Sequence, residues 1–372
     1  MKEVLISIRN GSNRFIYQKV LKKIFFQVEP EVIHDRMVGL GKFLGSNVIT
    51  KELTSLALSY SNKKLEQQIL GINFPNPIGL AAGFDKDAQL TAILPSVGFG
   101  FAEVGSITGE PCEGNPKPRL WRLKKSKGLV VYYGLKNEGC QKISQKLRQK
   151  VFRIPIGISI AKTNSQKTVS IEAGVEDYAK AFGSFTGIGD YFTINISCPN
   201  TYGGQPFTEP RRLEKLLRRI DRIQTKKPIF LKISPDLTKV ETDAILEVAA
   251  RHNIAGFVCT NLTKQRSGNK IKDEFIPTKG GISGKVVEEL ANNLISYIYQ
   301  KTQERFIIIG CGGVFSAEDA YKKIKLGASL IQLITGMVFE GPQIISEINQ
   351  GLTQLIERDR FRNIAQAVGS EA

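Results

Sequence analysis

The segment Asn195-Ile196-Ser197-Cys198-Pro199-Asn200 sets a thiol between two carboxamides and stiffens the turn with a proline. Carboxamides hydrogen-bond both edges of a planar, carbonyl-rich ring without adding charge, and a thiol perturbed by neighbouring dipoles is partly thiolate near neutral pH. Cys198 is therefore the expected base for removing a proton. Thr260-Asn261 adds another amide. Lys86, at the end of Ala81-Ala82-Gly83-Phe84-Asp85-Lys86, brings a positive charge beside small residues that let backbone approach a ligand, and Lys232 brings another. Gly310-Cys311-Gly312-Gly313 and Ile334-Thr335-Gly336 expose backbone N–H groups able to surround an anion. The pair predicts a bound cofactor phosphate.

These groups sit where short apolar runs end. Runs at 77–82, 100–104, 155–160, 191–196, 229–233, 255–260, 306–310 and 328–333 are too short for helices and alternate with amphipathic stretches. Eight strand-then-helix units over about 250 residues predict an α/β fold, a closed (β/α)8 TIM barrel, with an open doubly wound sheet as runner-up. In such a barrel reactive groups occupy the strand ends, and the loops after strands seven and eight form a phosphate site. Helices are expected at 177–185, 238–253 and 316–326, the last closed by Gly327. Segments 106–140 and 262–284 exceed ordinary connecting loops and are expected to cover the barrel mouth. Residues 66–372 form the barrel domain. Residues 1–65 read as a small helical module beside its mouth, with Pro30 at a helix start and Gly39, Gly41 and Gly45 loosening the end.

The whole chain has 372 residues, 41% hydrophobic and 23% charged, which excludes disorder as the main state. No run reaches the roughly 18 apolar residues of a spanning helix, and no secretory leader is visible, so neither export nor a membrane span is expected. Cys112, Cys140, Cys198, Cys259 and Cys311 contain no C-x-x-C pair, which predicts reduced thiols in a cytosol and no metal site. His34 and His252 are the only histidines, and neither is expected to titrate in catalysis. The net charge is 52 basic minus 35 acidic side chains, or +17. Within residues 1–28, Lys2, Arg9, Arg14, Lys19, Lys22 and Lys23 interleave with Phe15, Ile16, Val20, Leu21, Ile24, Phe25 and Phe26, as in an amphipathic helix lying on an anionic membrane surface. Arg211, Arg212, Lys215, Arg218, Arg219 and Arg222 lack interleaved aromatics, so they predict a solvated helix face and no nucleic-acid partner.

With these residues in place, the chain resembles the quinone-dependent, class 2, dihydroorotate dehydrogenases over nearly its whole length. The resemblance rests on the segments 25–30 (FFQVEP), 76–86 (NPIGLAAGFDK), 113–119 (EGNPKPR), 280–285 (GGISGK) and 310–313 (GCGG). It implies an FMN enzyme that oxidises dihydroorotate to orotate in pyrimidine synthesis, the base taking the C5 proton while hydride leaves C6 for the flavin. It also implies that Ala82, Gly83, Phe84, Asp85, Lys86, Thr108, Ser159, Asn195, Lys232, Thr260, Gly284, Gly313, Ile334 and Thr335 hold FMN. Lys86, Asn195, Asn200 and Asn261 would hold the substrate, and a membrane quinone would enter between the N-terminal helices near Arg122. The enzyme would then lie on the inner face of the cell membrane, its oligomeric state left open.

Three departures mark this chain. Cys198 stands where the class 2 pattern has serine. Val131 replaces a substrate-binding asparagine, which costs about 1–3 kcal/mol if the ligand group goes unpaired, unless Lys136 or Asn137 compensates. Ser159 and Leu262 replace a flavin-contacting asparagine and a substrate-contacting threonine. These changes keep open an FMN oxidoreductase acting on another cyclic amide or acceptor. Further off stand a sugar-phosphate lyase or isomerase at the same glycine loops and a catalytically inert, basic binding protein.

Overall fold

A computed structural model describes residues 2–268 and 270–372. Met1, of the N-terminal module, and Asn269, of the 262–284 segment, lie outside the described residues, as does the side chain of Lys2. Eight parallel strands close into a barrel in the order Gly256–Cys259, Ile307–Cys311, Leu330–Leu333, Ile78–Leu80, Phe101–Ile107, Ile156–Ile160, Tyr191–Asn195 and Ile229–Ile233. They are β3 (Ile78–Leu80), β4 (Phe101–Ile107), β7 (Ile156–Ile160), β8 (Tyr191–Asn195), β9 (Ile229–Ile233), β10 (Gly256–Cys259), β12 (Ile307–Cys311) and β13 (Leu330–Leu333). All eight coincide with expected runs. The runs are continuous rather than alternating because both faces are covered: every residue of β7, β8 and β9 is buried.

The lower barrel is filled by large rings that glycines admit. A Cβ on Gly79 would meet the Phe101 ring at 2.4 Å, and one on Gly157 would meet Tyr191 at 2.3 Å. A hairpin of β1 (Gln67–Ile69) and β2 (Ile72–Phe74) adds Phe74, whose ring stands edge-on to Phe101. The upper barrel is polar instead. Glu103, Ser106, Ser159, Thr193, Asn195, Lys232 and Gln332 are all buried there.

Outer helices begin at side-chain caps: Ser170 accepts from Ala173 N–H, Thr238 forms a capping box with Glu241, and Ser316 accepts from Asp319 N–H. The cap at Ser170 explains why the helix expected at 177–185 runs Ile171–Gly183, starting six residues earlier. The basic cluster lies on the helix Pro210–Asp221, which buries Leu213, Leu216, Leu217 and Ile220. Its cations pair outward, Arg218 with Glu214, Arg219 with Glu176 and Lys215 with Glu172, as a solvated face does.

Segments 106–140 and 262–284 contribute β5 (Leu120–Leu123), β6 (Gly128–Val131) and β11 (Gly281–Gly284), an antiparallel sheet in the order β11-β6-β5. The N-terminal module consists of α1 (Lys2–Ile16), a π-turn at Tyr17–Leu21, α2 (Lys22–Phe25), α3 (Pro30–Leu44) and α4 (Val48–Leu58). Gly39 and Gly41 do not loosen α3 but lie inside it. A Cβ on Gly41 would fall 2.6 Å from Leu90, so its bareness lets α3 press onto the barrel. The module leaves Phe15, Ile24, Phe43, Ile49, Leu53 and Leu56 more than half exposed. Among the described residues no helix is long and apolar enough to cross a membrane.

Candidate active site

A cavity of about 460 Å³ runs from the upper barrel, past the three-stranded sheet, to α3 and α4. That size suits a cofactor together with a small ligand. Every barrel strand feeds it except β7. Ala82, Gly83, Phe84 and Lys86 follow β3, Ser106 closes β4, and Asn195 ends β8 ahead of Cys198 and Asn200. Lys232 projects from β9, Thr260 and Asn261 follow β10, and Gly312 and Gly313 follow β12. Gln332, Ile334 and Thr335 come from β13 and its end, and Gly284 from β11.

The amides are oriented by one another. Asn261 donates to Asn195 Oδ1 at 3.1 Å and to Ser197 Oγ at 3.0 Å, and Asn195 donates to Ser106 Oγ at 3.0 Å. Ser159 does not reach the cavity wall; its hydroxyl lies 2.8 Å from that of Ser106 and acts through it. Asn200 donates to the Val131 carbonyl at 2.8 Å, while its own backbone carbonyl accepts from Asn115 at 3.0 Å.

The residues present fit a planar, polar-edged cofactor with a phosphate tail. Gln332 is wholly buried on the cavity wall, and among the described residues neither of its polar atoms has a hydrogen-bond partner, nor does Glu103 Oε2 deeper in the barrel. Buried groups of this kind normally have partners, so a ligand edge is the natural complement. The glycine loops are obligatory. Gly284 and Gly313 hold φ of 90° and 77°, and a Cβ would meet Lys127 O at 2.3 Å or Glu288 Cβ at 2.4 Å.

Burial dominates the electrostatics. It draws the Lys86 ammonium down to about 8. Lys86 Nζ lies 3.2 Å from His34 Nε2 and 4.0 Å from the centre of the Tyr133 ring. Burial, then the Lys86 charge, lowers His34 as well. Cys198 departs from expectation. Burial pushes its thiol up to about 11, outweighing the Asn200 backbone N–H and the charges of Lys162 and Lys264, which pull the other way. Local dipoles alone therefore do not make it a thiolate at neutral pH.

Two more expected cofactor residues, Asp85 and Thr108, stand off the wall as Ser159 does. The Asp85 carboxylate accepts from the backbone of Gln89 at 2.7 Å and Leu90 at 2.9 Å, shaping the turn that presents Lys86. Thr108 donates to Glu110 O at 2.6 Å and accepts from Asn137 at 2.8 Å. Asn137 is thereby committed and cannot replace the missing amide at Val131. Lys136 does line the cavity, as do Val131 and Leu262. Arg122 lines it on the module side, donating to Val28 O at 2.8 Å and lying 4.7 Å from the Phe26 ring centre. Sequence reasoning set His34 aside and passed over Tyr133 and Gln332, all three of which line the cavity. Only the position of Gln332 inside an apolar strand gave a signal.

The sequence pattern of the family described as "Dihydroorotate dehydrogenase" matches residues 64–356. The "Dihydroorotate dehydrogenase (quinone)" of Nostoc punctiforme is 37% identical, the match covering 96% of this chain and 98% of that one. That of a Synechococcus species is 38% identical over 91% of this chain and 92% of its own. Among solved structures, the Eimeria tenella DHODH in complex with ferulenol superposes with a TM-score of 0.82 at 28% identity, covering 92% of this chain and 95% of that one.

Proposed function

Since the chain belongs to the dihydroorotate dehydrogenase family, and so oxidises dihydroorotate to orotate in pyrimidine biosynthesis, we propose the following division of labour among its residues. The flavin is FMN. Lys232, Asn195, Thr260 and the backbone of Ala82 to Phe84 hold its ring, with Gln332 satisfied by a ring edge. Gly284, Gly313, Ile334 and Thr335 hold its phosphate. When bound, FMN supplies a hydride acceptor.

Lys86 binds the substrate carboxylate, and Asn195, Asn200 and Asn261 bind the ring amides. Cys198 removes the proton at C5. Because its thiol is raised, it works as a base only through the thiolate fraction, which is small near neutral pH and grows in alkali. Val131 and Leu262 offer apolar wall where the family pattern has polar groups, so substrate affinity is paid in the amides that remain. The sheet of β5, β6 and β11 supplies one wall of the chamber in which the substrate sits.

Electrons leave to a membrane quinone that enters between α3 and α4 and stops near Arg122. Residues 1–65 form the membrane-associating module, resting its exposed apolar side chains and basic residues on the anionic inner face of the cell membrane. The observation that carries this reading is the single cavity joining the Lys86, Asn195 and Cys198 cluster to the walls of α3 and α4. Anaerobic stopped-flow mixing with dihydroorotate should bleach the flavin absorbance, and a quinone should restore it. A flavin that stays oxidised overturns the reading.

A further inference from the structure

Lys162 follows β7 and is only 4% exposed, yet it makes no ion pair among the described residues. A lysine so deeply buried is ordinarily paired. Its Nζ donates to one carbonyl, that of Tyr202, at 3.0 Å. Lys162, Tyr178, Asn195, Cys198 and Thr201 share the wall of a second cavity of about 10 Å³, close to the room one water needs. Cys198 also lines the large cavity, so the base stands between the substrate chamber and the Lys162 chamber.

We propose that Lys162 is a positioning residue for proton removal, its ammonium group sustaining the thiolate of Cys198 from the chamber behind the base. The neighbouring charges leave it this role. Asp177 is engaged by the Thr163 N–H and hydroxyl at 2.7 Å each, and the Tyr178 hydroxyl donates to Asn195 O at 2.8 Å. Cys112 opposes a charge on Cys198, and Lys264, which favours one, is exposed and screened by solvent. Burial lowers Lys162 and raises Cys198, and each charge opposes the shift of the other. An anion on Cys198 therefore adds to the charge of Asp177 in favouring a buried cation that forms no ion pair among the described residues.

The proposal rests on Cys198 being the base in dihydroorotate oxidation. In the step, the C5–H bond breaks and an S–H bond forms. The electron pair left at C5 becomes the C5–C6 π bond as hydride departs C6 for the flavin, and Lys162 keeps its proton throughout.

The test uses the flavin-loaded enzyme with Lys162→Gln, Lys162→Met and Lys162→Arg. One readout is the pH profile of Cys198 alkylation by iodoacetamide, followed by peptide mass spectrometry without substrate. The other is the pH profile of flavin reduction by dihydroorotate. The neutral variants should move the alkylation profile up by about one pH unit or more. Their flavin reduction at neutral pH should fall about tenfold or more and recover in alkali, while Lys162→Arg overlays the wild type. Unchanged alkylation profiles, or a rate loss equal at every pH, would overturn the proposal. Should both neutral variants shed flavin, a shifted profile in Lys162→Arg overturns it and an overlaid one sustains it. If wild-type flavin is not reduced by dihydroorotate but the alkylation shift appears, the functional reading fails and the Lys162–Cys198 coupling stands.

Discussion

The Arg119 guanidinium grips the Glu31 carboxylate from two nitrogens, Nη2 at 2.7 Å and Nε at 3.1 Å, with both side chains at most 5% exposed. Arg119 also donates to Glu113 O and Asn115 O, and Asn115 in turn holds the backbone of Asn200. One ion pair thus ties α3 of the N-terminal module to the loop that braces a substrate amide.

Removing Glu31 leaves the Arg119 guanidinium buried without its carboxylate, at a cost of about 3–5 kcal/mol. Glu31→Ala should therefore lower the melting temperature and cut quinone-dependent reoxidation more than flavin reduction, both read by stopped flow. Burial alone would raise the Glu31 carboxyl, but hydrogen bonds and charge from Arg119 and Lys117 hold it below its usual value. A depressed carboxyl contributes stability above its unfolded pKa and loses it as pH falls through the folded one. The module should accordingly undock only in acid, as pH falls below the ordinary glutamate range, as limited proteolysis would register.

With the Cys198 thiol raised to about 11, the thiolate fraction grows about tenfold per pH unit below that value. Flavin reduction under saturating substrate should climb across that range. Cys198→Ala should retain flavin and lose about a hundredfold or more in reduction rate. Near-normal turnover in that variant removes Cys198 from the base role.

Substrate binding should move the opposite way with pH. Lys86, drawn down to about 8, loses its charge as pH rises through that value, so orotate affinity, measured by flavin spectral titration, should weaken in alkali. Lys86→Met should abolish that dependence along with most of the affinity. An affinity that stays flat across pH 7–10 in the wild type excludes Lys86 as the carboxylate ligand.

Val131→Asn restores an amide to the cavity wall beside Asn200. It should tighten orotate by about one to two decades, the equivalent of about 1–3 kcal/mol. Unchanged affinity would mean that Lys136, already on that wall, has taken over the lost contact.

Phe15→Glu combined with Ile24→Glu places charge on the exposed side of the module without touching the cavity. Co-sedimentation with anionic vesicles should drop severalfold while flavin reduction by dihydroorotate stays at the wild-type rate. Persistent sedimentation would locate the membrane contact elsewhere.

The barrel was legible because its signals are local. A strand covered on both faces must be apolar along its length, and the groups at strand ends follow from the register of each run. The amides of Asn195, Asn200 and Asn261, the glycine loops, and the cation at Lys86 could be read by that rule. Asp85 and Thr108 could not, because which side of a turn a side chain faces depends on its neighbours rather than on its motif.

Other properties required the chain to fold back on itself. His34 meets Lys86 across 52 residues, and Glu31 meets Arg119 across 88, with nothing in either local sequence naming the partner. The state of the Cys198 thiol is the clearest case. Residue type and spacing marked it as a base, but its proton affinity depends on how much water the fold removes and on which distant cation, Lys162, is buried behind it. Spacing is written along the chain, whereas desolvation exists only once the chain has closed around the group.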